Sequence, residues 1–184
     1  MEVKGSAVAT IQEFVHSKYN SQYDDWLNSL PGESKSLMQN KVLPSSWHKI
    51  ETAIVIPTEK ICNLFYGGDL KGAWEMGRYS ADVALSGIYK LFVKVGTPQF
   101  IISRASNILS TYYRPGNINI VESNSNSIVV HFSNFIGMHQ VIEYRIAGWI
   151  ERALEISGCS DISLKVSRSM TKGDEISEMI ISWK

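Results

Sequence analysis

The sequence lacks most of the short patterns that betray a chemistry. No Cys-x-x-Cys pair is present, and the two cysteines, Cys62 and Cys159, lie far apart in the chain. Two reduced, buried thiols are the expected state, and a lone disulfide or a redox role is the lesser reading. The four histidines, His16, His48, His131 and His139, have no His-x-His, His-x-x-x-His or His-Glu-x-x-His partner, so metal-ligand spacing is missing. There is no Gly-x-Ser-x-Gly elbow for a hydrolase nucleophile. Gly67-Gly68-Asp69 reads as a turn, without the glycine spacing or the Gly-Lys-Ser/Thr ending of a phosphate loop.

Charge of one sign is missing too. The chain has 18 basic and 18 acidic residues, whereas broad nucleic-acid binding needs an excess of cations on one face. Nucleic acid is therefore not an expected partner. The acidic pairs Asp24-Asp25 and Glu175 with Glu178 fall on expected surface or turn segments, and no carboxylate pair is placed for acid–base work. The N-terminal stretch MEVKGSAVATIQEFV has no signal-like apolar run. The most apolar region, 81–95, is broken by Asp82, Ser86, Lys90 and Lys94, which argues against a membrane span. A soluble, cytoplasmic, non-enzymatic protein with no cofactor is the expectation.

What is present is pattern. The chain has 184 residues, of which 44% are hydrophobic, enough for one domain over 1–184 with a sizeable core. Residues 1–115 read as mostly helical. Val8, Ile11, Phe14 and Val15 define one helical face behind a Ser6 cap, and Tyr23, Trp26, Leu27 and Leu30 another before Pro31-Gly32. Ser34 to Val42 fits a short helix. Pro44-Ser45-Ser46-Trp47 reads as a break followed by a possible helix start, and Pro57 as a helix N-terminus. From Leu70 to about Val95 the spacing of three and four returns, with Gly77 and Gly87 marking close helix packing or a kink. Gly96-Thr97-Pro98 ends that helix and begins another, which runs to about Tyr113.

After Arg114-Pro115-Gly116 the period changes to two. Asn117 to Glu122 and Ile128 to Phe132 flank a Ser/Asn turn. An amphipathic helix follows from Gly137 to Ile156, with Val141, Ile142, Ile146, Trp149, Ile150 and Ala153 on its apolar face. Two more alternating runs, Asp161 to Arg168 and Glu178 to Lys184, flank a Gly-Asp turn. The expected fold is α+β: a helical N-terminal part packed on a β-β-α-β-β unit over 116–184, with a four-stranded antiparallel sheet.

Most aromatics on the long helices are expected in the core. Helices over a sheet can also enclose a ligand cavity. The candidate ligand-binding residues are Trp74, Arg78, Arg104, Tyr112, Tyr113 and Trp149. An arginine beside such a cavity could clamp a carboxylate or phosphate; Arg78 could equally pair with Glu75 or Asp82 on its helix.

The segment DLKGAWEMGRYSADVALSGIYKLFVKVGTPQFIISRASNILSTYYRPGNINIVE resembles a bacterial family of unknown function expanded in myxobacteria. Shared features are a Gly-Arg element, a Tyr-Lys-Leu-Phe run, a Gly-Thr-Pro junction and a helix ending in paired tyrosines. The C-terminal layout resembles the superfamily of haem-nitric-oxide/oxygen-binding domains, 4-vinyl-reductase-like domains and vesicle-tethering subunits. The closing GCSDISLKVSRSMTKGDEISEMIISWK is similar to the last hairpin of the vinyl-reductase-like domains. The resemblance spans 69–184 and implies a sensory or regulatory module that binds a small apolar ligand between helices and sheet. Its other implications are dimerisation or docking of a protein partner without a small ligand, and a haem-based gas sensor. The haem-binding members use an axial histidine and a Tyr-x-Ser-x-Arg motif. This chain has no such motif, and 98–113 contains no histidine. Paired cysteines for zinc are missing from the last hairpin. Tethering subunits bind an acyl chain, sometimes covalently at a cysteine; Cys62, between Ile61 and Leu64 on an apolar helix, reads as a buried thiol and not an acylation site.

Overall fold

The computed structural model describes residues 1–86, 100, 107 and 110–184. The chain opens with a strand, β1 (Glu2–Lys4), that leads directly into α1 (Gly5–Tyr19). The first free N–H groups of α1 are satisfied by backbone: Gly5 N donates to Ser46 O (2.8 Å) and Ser6 N to Pro44 O (3.1 Å). Ser6 is thus inside the first turn and not its cap, a correction to the expectation. Gly5 is required there, because a Cβ on it would sit 2.0 Å from Leu43 O.

α2 (Tyr23–Ser29), α3 (Gly32–Gln39), α4 (Ile56–Phe65) and α5 (Lys71–Ala84) follow. Fully buried Trp26 ties α2 to the start of α4 by donating Nε1–H to Pro57 O at 3.1 Å. The expected helix start at Trp47 is instead β2 (Trp47–Lys49), antiparallel to β1 with Val3 opposite His48. Tyr113 is likewise not the end of a helix. It begins β3 (Tyr113–Arg114), which pairs with the other side of β1, Val3 opposite Tyr113. Strands of two or three residues are too short to show a period of two, so only their long-range pairing reveals them. The helix expected to reach Val95 ends at Ala84, with Leu85 as its C-cap; 87–95 and most of the helix expected from Pro98 lie outside the described residues.

The C-terminal unit agrees with the expectation in every element. β4 (Asn117–Ser123) and β5 (Ser127–Ser133) form a hairpin, α6 (Gln140–Ile156) crosses over, and β6 (Ser163–Arg168) and β7 (Ser177–Ser182) form a second hairpin. The sheet order is β4-β5-β7-β6, all antiparallel. Facing pairs Ile128–Ile181 and Val130–Met179 turn one sheet face into the core, where all four side chains are buried. That face and the apolar stripe of α6 join one hydrophobic cluster with Phe14, Trp26 and Met76 of the helical part.

α6 is locked to the second hairpin by a buried carboxyl. Ser169 Oγ donates to Glu143 Oε2 (2.9 Å) and Ser177 Oγ to Glu143 Oε1 (2.5 Å), while Met170 N donates to Ser177 Oγ (3.0 Å). Glu143 is 3% exposed, so no water can replace it cheaply. Glu143→Ala should cost about 3 kcal/mol by stranding two hydroxyl donors, read as a fall in the urea midpoint at unchanged slope.

Candidate functional site

α5 and α6 pack backbone against backbone. A Cβ on Gly77 would lie 1.9 Å from Arg145 O, and one on Gly148 would lie 2.1 Å from Trp74 O. The close packing expected of Gly77 is therefore found, with a reciprocal glycine on α6. This crossing divides the candidate residues into two groups.

Trp74 and Arg78 lie on the outer side, with Asp69, Lys71, Glu75, Tyr144, Glu151 and Glu155, around an open cleft of about 660 Å³. Trp74 Nε1–H donates to Glu151 Oε2 (2.8 Å), and its ring meets Tyr144 edge-on at 6.3 Å. Arg78 donates from Nη1 to Glu151, and from Nη1 and Nη2 to Glu155 at 2.9 and 2.8 Å. Glu155 also receives Arg152 Nη1 (2.8 Å), and Arg152 Nε donates to Asp82 (2.7 Å). Four carboxylates against two cations line this cleft, and Arg78 is already engaged by its fork. Its hydrogen bonds to Glu155 raise the guanidinium above its ordinary value. The Arg78 bond in turn holds the Glu155 carboxyl below its ordinary value of 4.5.

A carboxylate lowered by folding stabilises the fold above its unfolded pKa and loses that contribution as pH falls through the folded value. Arg78→Ala is therefore expected to lower stability at neutral pH by about 1 kcal/mol, a modest figure because the pair is partly solvated. The variant should also lose less stability than the wild type between roughly pH 5 and 3. Urea titrations at a series of pH values check both.

Tyr113 and Trp149 lie inside, at 4% and 2% exposure. Tyr112 is half-buried, and Arg104 lies outside the described residues. What joins the inner group is Arg145, which the sequence reading did not single out. It is 3% exposed. Its Nη2 donates to Ala7 O (2.7 Å) and Thr10 Oγ1 (3.0 Å) of α1, while its Nη1 has no partner among the described residues. Burial pushes the guanidinium below its ordinary value, opposed by interaction with Tyr113 and Tyr112. Burial also pushes the Tyr113 phenol up, so it stays neutral. Trp149 Nε1 is a second buried donor without a partner. The signal was present: Arg145 is the one charge in the stripe that runs from Val141 and Ile142 to Ile146 and Trp149.

The histidines all sit at partly or fully exposed positions. His16 stacks on Tyr23 at 3.6 Å, His48 meets Ser46 Oγ at 2.7 Å, and His131 meets Glu178 Oε2 at 2.7 Å. His139 caps α6 by accepting from Val141 N at 3.3 Å. Cys62 and Cys159 are free and buried, and burial raises both thiols. Among the described residues no three His, Cys, Asp or Glu side chains gather to hold a metal ion, and no helix is long and apolar enough to cross a membrane.

The sequence matches no protein-family model and no curated protein. Solved structures decide the fold. The unliganded Fe(II) H-NOX protein of K. algicida aligns over 98% of this chain and 96% of its own, with a TM-score of 0.71 at 10% identity. This chain has the H-NOX fold. The Fe(II)NO H-NOX protein of S. oneidensis aligns over 98% of this chain and 99% of its own, with a TM-score of 0.71 at 14% identity. A third H-NOX structure, from work on haem distortion in that family, gives a TM-score of 0.71 at 16% identity over 98% of this chain. Of the resemblances drawn from the sequence, these neighbours bear on the haem-nitric-oxide/oxygen-binding branch. In this H-NOX fold the α5–α6 crossing and β3 place Arg145, Trp149 and Tyr113 between the N-terminal helices and the C-terminal unit.

Proposed function

We propose that this chain is a non-enzymatic sensory module that binds a small, mainly apolar ligand between its helices and its sheet. The observation that carries the reading is the inner group. Two buried donors, Arg145 Nη1 and Trp149 Nε1, have no partner among the described residues, in a mainly apolar core. Natural interiors seldom leave such groups unmatched, and functional sites are the usual exception. The H-NOX fold supports the reading, since the neighbouring structures carry Fe(II) and nitric oxide.

Among the described residues no histidine or cysteine is placed to hold a haem iron. Haem iron is held by histidine, cysteine thiolate, methionine with histidine, or tyrosine. All four histidines are occupied at the surface as described, and the residues outside the description contain neither histidine nor cysteine. Both buried thiols and the Tyr113 phenol are held in their protonated forms by burial. The sensed ligand is therefore read as organic.

Two measurements test this. Hemin added to the purified chain should give no saturable one-to-one Soret band; such a band would overturn the non-haem reading. Thermal unfolding should rise saturably with at least one member of a panel of apolar acids, amides, phenols and indoles. A panel without any saturable shift would overturn ligand binding.

A further inference from the structure

The charge of Arg145 meets no carboxylate among the described residues. Arg78, Arg114 and Arg152 all sit at partly or fully exposed positions and each reaches a carboxylate: Glu155, Glu2 and Asp82 respectively. Arg145, the deeply buried one, takes part in no ion pair among the described residues and bonds only to neutral oxygens. The remaining residues cannot supply one either, because the chain contains no Asp or Glu between Asp82 and Glu122. Nor does Tyr113 act as a phenolate, since burial raises its pKa. Arginine itself does not release its proton in proteins. A permanent cation thus sits in the seam with one face of its fork unused.

The second unmatched donor lies on the same helix. Trp149 follows Arg145 by four residues on α6, which places both on one face of the helix. The two atoms offer donors and no acceptor, and Ile142 and Ile146 of the same helix are buried as well. A carboxylate matches this arrangement: one negative charge for one positive, and two oxygens for two donor atoms. A buried phosphate dianion would leave charge and oxygens unmatched.

We infer that the inner site takes an apolar monocarboxylate, with its carboxylate against Arg145 Nη1 and the Trp149 indole N–H. This inference rests on the ligand-binding reading above and specifies its chemistry. Octanoate, decanoate and dodecanoate, each paired with the primary amide of the same chain length, are titrated calorimetrically into the full chain. In the wild type at least one acid should bind about tenfold or more tighter than its amide. Arg145→Met should bind acid and amide alike. Trp149→Phe, which keeps an aromatic ring and removes the donor, should weaken the acid several-fold more than the amide and guards against misfolding of the first variant. Equal binding of acid and amide by the wild type overturns the carboxylate assignment and leaves ligand binding standing. Binding of neither across the series overturns the carboxylate assignment, and the thermal panel then decides the broader reading. Acid selectivity that survives in Arg145→Met assigns the anion to another group and overturns this site.

Discussion

Gly77→Ala should destabilise the protein by about 3 kcal/mol or more, and Gly148→Ala by a similar amount. The sign is the informative part. In a solvent-exposed helix interior, Gly→Ala gains roughly 1 kcal/mol from backbone entropy and helix propensity. At Gly77 the added methyl would meet a backbone carbonyl, Arg145 O, at 1.9 Å, and at Gly148 it would meet Trp74 O at 2.1 Å. A backbone carbonyl cannot rotate aside as a side chain can, so the helices must separate. Separation would pull Arg145 away from Ala7 O and Thr10 Oγ1, its anchors on α1. The loss should therefore appear in both the urea midpoint and ligand binding. An unchanged or raised midpoint would mean that α5 and α6 do not cross as described.

Arg145→Met has the opposite expected sign. In the ligand-free protein it should raise stability by roughly 1–2 kcal/mol. Burying an unpaired guanidinium costs several kcal/mol, while a thioether of similar reach costs almost nothing to bury. Two charge-assisted hydrogen bonds to neutral oxygens are lost, each worth about 1.5 kcal/mol. The acceptors are not stranded, because Thr10 Oγ1 donates to Ala7 O at 2.8 Å and approaches Ser80 Oγ at 3.4 Å. Urea unfolding of both proteins after removal of bound small molecules measures the difference. A structural strut would instead lose stability on substitution. Stability surrendered at one residue for the sake of a ligand is the signature of a binding group.

The elements legible in sequence were those with enough length to show a period. β4, β5, α6, β6 and β7 each repeat their pattern over several residues, and their order alone restricts the sheet to few topologies. β1, β2 and β3 could not be read that way. Val3, His48 and Tyr113 become neighbours only through pairing across most of the chain. The candidate site divides along the same line. Gly77 announced a close approach, but its partner Gly148 did not stand out inside α6. Arg78 lies among aromatics in sequence, yet the carboxylates that hold it, Glu151 and Glu155, arrive from α6 some 70 positions away. Arg145 was hidden for the converse reason. Charged residues on a helix are usually assigned to its wet face, and only the register of the stripe puts this one inside. The acid-free span from 83 to 121 was visible in the sequence, but it gained meaning only beside a buried cation.

A seam between the helices and the C-terminal unit that holds a small anion on Arg145 should carry that anion through purification. Native mass spectrometry of freshly purified wild-type protein and Arg145→Met tests it most directly. A small acidic molecule should be released from the wild type on activation and none from the variant. The same molecule bound equally by both proteins would contradict it.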